Sequence, residues 1–477
     1  MSAEAPATRP EAAVVARNTA AQAAGKVVVL AAGAASIAIT TRYLGTAGYG
    51  RFALALALLQ SFGVLADAGL VTAVVREGSR APERIADLVA NALAIRLALG
   101  PPVVLLALGA STLAGYGSSV AEAVLVATVP FAMGIVASTL AAAFQVRLHM
   151  GRAALADAAG RVASLGALAL VVAADLGFLA VVASATVGAA VALAITIAFA
   201  RRIMPLRLGR DPALWRELVR LAVPLGFTLA IAELYFRADT FIVSLSRPAS
   251  DVGLYALSYR IYELLSILPA IVMTSVFPLL SRHLAHDRAQ AQRTLRATAG
   301  ALAMFGVPLA VGGLLIAPQL ARLVGGAAFV AAADPLRLLL CAAALAYLSG
   351  LLGFALIAGD RQRDALRLSV VALLFNLALN VALVPSLGVI AAAAVALASE
   401  ALLLAGGWWL VQHRLGLRPA VPGLWRIALA AAVMAAAVWP LRERTPALSV
   451  PVGAAVYGAV LAALGGIDRR TLETLRG

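Results

Sequence analysis

Apolar segments of about 20 residues recur along this chain with only short polar breaks between them. That spacing leaves one architecture. A segment of this length crosses a hydrocarbon core of about 30 Å as a helix. Helix is required because lipid offers the backbone no hydrogen-bond partners. The segments run roughly over 19–41, 52–75, 88–110, 119–143, 155–174, 177–200, 218–243, 253–281, 297–318, 334–357, 366–385, 387–411, 424–440 and 447–466. The expectation is an all-α polytopic membrane protein of about fourteen transmembrane helices. Composition agrees: 62% of the residues are hydrophobic and 13% charged, with a mean hydropathy of +0.95.

The net charge of +15 would suggest nucleic acid in a soluble chain. Here the arginines sit in short loops, where they act as topology signals, so no nucleic-acid partner is expected. Only Arg42, Arg51, Arg247, Arg322, Arg442 and Arg444 fall in odd-numbered loops. The other loop and tail arginines lie on the side of the N-terminus. Both termini are therefore expected in the cytoplasm, as an even number of spans also requires. Residues 1–18 read as a disordered tail and 467–477 as a second cytoplasmic tail. The single Cys341 and four scattered histidines offer no metal-ligand pattern, and no metal site is expected.

A repeat divides the chain. Gly50-Arg51-Phe52-Ala53-Leu54 aligns with Gly253-Leu254-Tyr255-Ala256-Leu257, each between the first and second segments of a group of six. DLGFLAVVAS (175–184) and SLGVIAAAAV (386–395) likewise occupy matching tight hairpins. The expected organisation is an N-lobe (19–200), a basic linker (201–217), a C-lobe (218–411) and two additional helices within 424–466. Two lobes of equal topology are the plan of transporters that rock about a central site.

The opening stretch TTRYLGTAGYGRFALALALLQSFGVLADAGL resembles the polysaccharide (Wzx-type) oligosaccharide flippase family of the MOP (multidrug/oligosaccharidyl-lipid/polysaccharide) exporter superfamily. The positions that carry the resemblance are Arg42, Leu44, Gly45, Tyr49, Gly50, Gly69 and Leu70. Ala358-Gly359-Asp360 through Asn376, Asn380 and Leu387-Gly388-Val389-Ile390 is similar to the family's eleventh and twelfth helices. The second lobe departs from the pattern, with Asp251-Val252-Gly253-Leu254-Tyr255 and no Tyr-Gly pair. The resemblance implies two six-helix bundles forming a V around a cavity. It implies movement of an undecaprenyl-pyrophosphate-linked glycan across the bacterial cytoplasmic (inner) membrane for O-antigen, capsule or exopolysaccharide synthesis, alongside a polysaccharide polymerase and chain-length machinery.

Charges inside apolar helices are costly and mark candidate sites. Lys26, the only lysine, and Arg96 have no acidic residue at helical spacing on their own helices. Arg237 has Glu233 four residues before it, and Arg260 has Glu263 three residues after it. These four form the expected cationic cavity for pyrophosphate, which the planar guanidinium fork suits. Arg161, Arg220 and Arg337 read as structural, Arg161 as the partner of Asp157. Glu400, with no basic neighbour on its helix, is the first ion-coupling candidate; Asp67, Glu233 and Glu263 are the others. Satisfaction of Glu400 by Asn376 or Asn380 is the competing reading. No catalytic residues and no cofactor are expected, so an H⁺ or Na⁺ gradient, or the substrate gradient itself, would supply the drive. Two alternatives stand: a MATE-type drug or cation antiporter, against which Lys26 in the acid-free first segment speaks, and a membrane enzyme acting on lipid-linked glycans, against which the short outer loops speak.

Overall fold

The computed structural model describes residues 9–466, and among them the regular structure is helical throughout. Fifteen α-helices follow one another: α1 (Arg9–Asp67), α2 (Leu70–Arg80), α3 (Ile85–Leu113), α4 (Ser118–Val146), α5 (Met150–Ala173), α6 (Phe178–Ala200), α7 (Pro212–Ser246), α8 (Ala249–Leu265), α9 (Ile267–His286), α10 (Arg288–Gly325), α11 (Ala333–Ala358), α12 (Gln362–Leu387), α13 (Val389–Leu410), α14 (Leu424–Val438) and α15 (Pro446–Ala463). Eleven segments of the described chain are long and apolar enough to cross a membrane. The first of them, 25–80, contains the second expected span and most of the first.

Several boundaries differ from the expected ones, for local reasons. The Ala-rich stretch after Arg9 is helical, inside what reads as a disordered tail, because alanine has the highest helix propensity. Residues 1–8 and the expected tail 467–477 lie outside the described chain. The first two spans are joined through Gly45, whose φ of 65° breaks the helix that otherwise runs from 9 to 67. The second span breaks at Ala68 and Gly69, both with positive φ, and the eighth divides at Ser266 into α8 and α9.

Packing divides the chain into two units. One comprises the residues up to Leu44 with Arg51–Ala238, the other Gly45–Gly50 with Asp239 onward. The division therefore falls inside α7, at Ala238/Asp239, and not at the linker 201–217. The last two helices pack in the second unit, where the Tyr457 hydroxyl donates to the Met304 carbonyl at 2.9 Å.

Each unit shows the same pairing order. In the first, α3 packs on α4, α4 on α6 and α5 on α6; in the second, α10 packs on α11, α11 on α13 and α12 on α13. The matching hairpins also share a backbone conformation. Gly177 before α6 has φ 82°, ψ −173°, and Gly388 before α13 has φ 69°, ψ −154°. Only glycine adopts that region without strain. Neighbouring chain positions of the two halves cover the two turns: the Tyr43 hydroxyl accepts from the Gly177 amide at 2.9 Å, while the Arg247 guanidinium lies against Gly388.

The segment 45–50 is held in the second unit by close backbone contact. A Cβ on Gly50 would lie 1.9 Å from the Ala249 carbonyl oxygen, and one on Gly253 would lie 2.0 Å from that of Thr46. The two glycines of the sequence repeat are thus where backbones approach without side chains. Tyr49, 5% exposed, packs edge-on against Phe329 beside them, with ring centres 5.8 Å apart.

Candidate functional site

The eight candidate residues fall into four settings. Lys26 projects from α1, exposed, with no ion pair among the described residues. Its helix passes close to α5, since a Cβ on the neighbouring Gly25 would lie 3.2 Å from that of Ala154. A cation so placed is available to an external anion.

Arg96 is different. It is 6% exposed, and its Nη2 lies 3.3 Å from the Asp67 carboxylate at the end of α1. Its Nη1 donates to the Ile135 carbonyl at 3.2 Å, to Ser138 Oγ at 3.0 Å and to Thr139 Oγ1 at 2.5 Å. The lack of a same-helix acid concealed a partner on another helix. Arg96 is consumed in packing α1, α3 and α4 together, and Asp67, a coupling candidate, is its counter-ion. Removing both charges from water is tolerable only because each finds a fixed partner.

Arg237 binds Glu233 at 3.0 Å through Nε and donates from Nη2 to Gln60 Oε1 at 2.5 Å. The helical spacing seen in the sequence forms this pair, and both side chains keep partial exposure. Arg260 pairs with Glu263 at 2.5 Å in the second unit, with about two-fifths of each side chain exposed. The expected pair of Asp157 with Arg161 is not among the ion pairs of the described residues; both side chains are exposed.

Glu400, on α13, is 8% exposed and accepts a hydrogen bond from Ser349 Oγ at 2.8 Å. Asn376 and Asn380 do not serve it. They serve Asp239, an acid inside an apolar helix that is not among the eight candidates. Asp239 is 5% exposed and accepts from the Tyr255 hydroxyl at 2.9 Å and from Asn380 Nδ2 at 2.8 Å. Asn380 Nδ2 also reaches Asn376 Oδ1 at 3.1 Å, and Asn376 Nδ2 reaches Ser399 Oγ at 3.2 Å. Asn380 Oδ1 is buried without a hydrogen-bond partner. Helices α7, α8, α12 and α13 thus gather one carboxylate, two amides and two hydroxyls. Glu400 stands on a helix without a cation, whereas Asp239 shares α7 with Arg237 two residues before it; the signal that finds both is an acid with no cation three or four residues away on its helix.

Comparison with known proteins settles the family. The model of the polysaccharide biosynthesis protein family matches residues 15–284. The chain belongs to that family. The MatE family model matches 224–382 as well, in keeping with the MOP superfamily. A probable flippase, AglR of Haloferax volcanii, is 26% identical over 257 residues, 50% of this chain and 53% of that protein, so the match spans about half of the relative's length. The structure of the lipid II flippase MurJ in an inward closed conformation superposes with a TM-score of 0.77 at 13% identity, covering 93% of this chain and 98% of the other. An inward-facing multidrug resistance MATE family transporter of the MOP superfamily gives 0.64 at 16% identity, covering 82% and 98%. These likenesses give the fold of the family member described here: a helical, multi-pass membrane protein of the MOP type.

Proposed function

We propose that this family member flips an undecaprenyl-pyrophosphate-linked oligosaccharide across the bacterial cytoplasmic membrane for assembly of a surface polysaccharide. The observation that carries the reading is Lys26: the chain's only lysine, exposed, with no acidic partner among the described residues and with no carboxylate elsewhere in the first span. A lone exposed cation in an apolar helix favours an anionic cargo. Arg237 and Arg260, each oriented by a carboxylate and still partly exposed, supply further donors for phosphate oxygens. The flippase relatives support a lipid-linked cargo.

A gradient drives the cycle on this reading. Glu400 suits a proton, and the oxygen set of Asp239, Asn376, Asn380 and Ser399, with its orphaned amide oxygen, suits a hard monovalent cation. Those residues would hold the ion, and its chemistry would be charge neutralisation only. The MatE match favours a cation antiporter as the second reading; such a protein would carry an acid in the first span or its lobe mate, and the first span here carries Lys26 and no acid.

The test is deletion of the gene and extraction of lipid-linked glycans, followed by complementation. Accumulation of one lipid-linked oligosaccharide on the inner leaflet is expected. Lys26→Gln should lose most complementation at normal membrane abundance, and Lys26→Arg should keep most of it. Unchanged glycans with raised drug sensitivity would replace this reading by the antiporter.

A further inference from the structure

The linker 201–211 is bonded to the first turns of α3 by a set of contacts that none of the functional readings uses. Asn91, 4% exposed, turns its side chain toward the linker and accepts two hydrogen bonds at Oδ1: from the Asp211 amide at 3.0 Å and from Trp215 Nε1 at 2.9 Å. Its Nδ2 donates to the Asp87 carbonyl at 2.9 Å, which fixes the amide's orientation. One residue earlier, the Ala90 carbonyl accepts from the Gly209 amide at 3.0 Å. Gly209 lies so close that a Cβ there would sit 2.3 Å from the Asn91 side chain. Asp211 then caps α7, accepting from the amides of Ala213 at 2.9 Å and Leu214 at 3.3 Å.

The chain beyond continues the attachment. Leu214, Leu218 and Ala222 of α7 are buried in one apolar cluster with Ile85, Leu88, Val89 and Ala92 of α3. Two exposed ion pairs, Arg207 with Asp87 and Arg84 with Glu217, flank the buried contacts. Exposed pairs of this kind contribute little; a buried amide with all its partners in place is expensive to disrupt. Among the polar contacts, the strength of the attachment therefore resides in Asn91.

We propose that residues 205–211 form a fixed strap, clasped by Asn91, that carries the start of α7 with α3 throughout the transport cycle. The linker is then a mount and not a hinge. The transport cycle rests on the reading of the chain as a flippase; the clasp itself does not.

Two measurements test it. Hydrogen exchange of the purified chain reads the clasp without reference to cargo. The amides of Gly209 and Asp211 should exchange as slowly as those of α3 in the wild type. Asn91→Leu should lower protection in the 207–215 peptide by about tenfold or more, while Arg207→Gln leaves it unchanged. Exchange of the wild-type strap at open-loop rates would overturn the proposal. If Asn91→Leu loses protection along the whole chain, Trp215→Phe decides: a loss confined to the strap supports the clasp, and unchanged strap exchange removes it.

The second measurement reads the cycle. Asp87→Cys with Arg207→Cys, in a Cys341→Ser background, is treated in the deletion strain with a short bifunctional thiol reagent. Efficient bridging with retained complementation is expected. A bridge that stops transport reversibly, or a failure to bridge, would show that the strap moves. If the wild-type gene does not complement, the flippase reading has failed, and the exchange result for the clasp still stands.

Discussion

Replacing Arg96 by methionine separates a packing role from a cargo role. The guanidinium is 7% exposed by side chain, and its partner Asp67 is 26% exposed. Methionine fills similar space but leaves the Asp67 carboxylate without its cation, and Ser138 and Thr139 without their donor. Breaking one side of a buried pair costs about 3–5 kcal/mol. Asp67 retains some access to its surroundings, so the lower end, about 3 kcal/mol, is the expected cost. Set against a net stability of about 5–15 kcal/mol, that loss lowers abundance in the membrane severalfold. Asp67→Asn removes the orphan charge, so the double variant should be less destabilised than the sum of the singles, by about 1–3 kcal/mol. The assay is a four-protein cycle of membrane abundance and thermal unfolding in detergent, with complementation normalised to protein. Activity per molecule should remain near wild type in Arg96→Met. Wild-type abundance and melting temperature with lost transport would refute the reasoning and return Arg96 to the cargo site.

Other expectations can be checked alongside. Glu400→Gln keeps a hydrogen-bond acceptor for Ser349 while removing the charge, so transport should fall and lose its dependence on the proton gradient; normal gradient dependence would leave Glu400 a packing residue. Gly50→Ala places a methyl group 1.9 Å from a backbone oxygen that no rotamer change can move, and overpacking of this kind costs about 1–3 kcal/mol, visible as a lower melting temperature that Gly33→Ala, whose methyl group would meet nothing within 4 Å, would not reproduce. Asp287 caps α10 through the Gln290 amide, and that backbone bond holds its carboxyl below the usual carboxylate range. A lowered folded value means that its contribution is full at neutral pH and is lost as pH falls through the folded value. The destabilisation caused by Asp287→Ala should therefore be present at pH 7 and vanish in acid, and a pH-independent difference would exclude the charge as its source.

What the sequence disclosed and what it concealed follow from the range of each interaction. Span positions were legible because apolar length is a property of contiguous residues. The i,i+4 pair of Glu233 with Arg237 and the i,i+3 pair of Arg260 with Glu263 were legible for the same reason. The partner of Arg96 was not, because Asp67 belongs to another helix, 29 positions away along the chain. Asn376 and Asn380 stood out as polar residues in an apolar helix, yet their carboxylate proved to be Asp239, on α7, and not the nearer Glu400. The breaks at Ala68–Gly69 and Ser266 left no trace in hydropathy, since the apolar composition continues across them.

The offset between repeat and packing has a bearing on ancestry. The repeat, read from sequence, ends before α7; the first packed unit ends within it, at Ala238. The second half thus lends the greater part of a helix to the first, and the first lends residues 45–50 in return. A half-length ancestor making the same exchange would have been a domain-swapped homodimer, each copy completing the other. On that plan a chain severed at the linker should reassemble from its two co-expressed fragments.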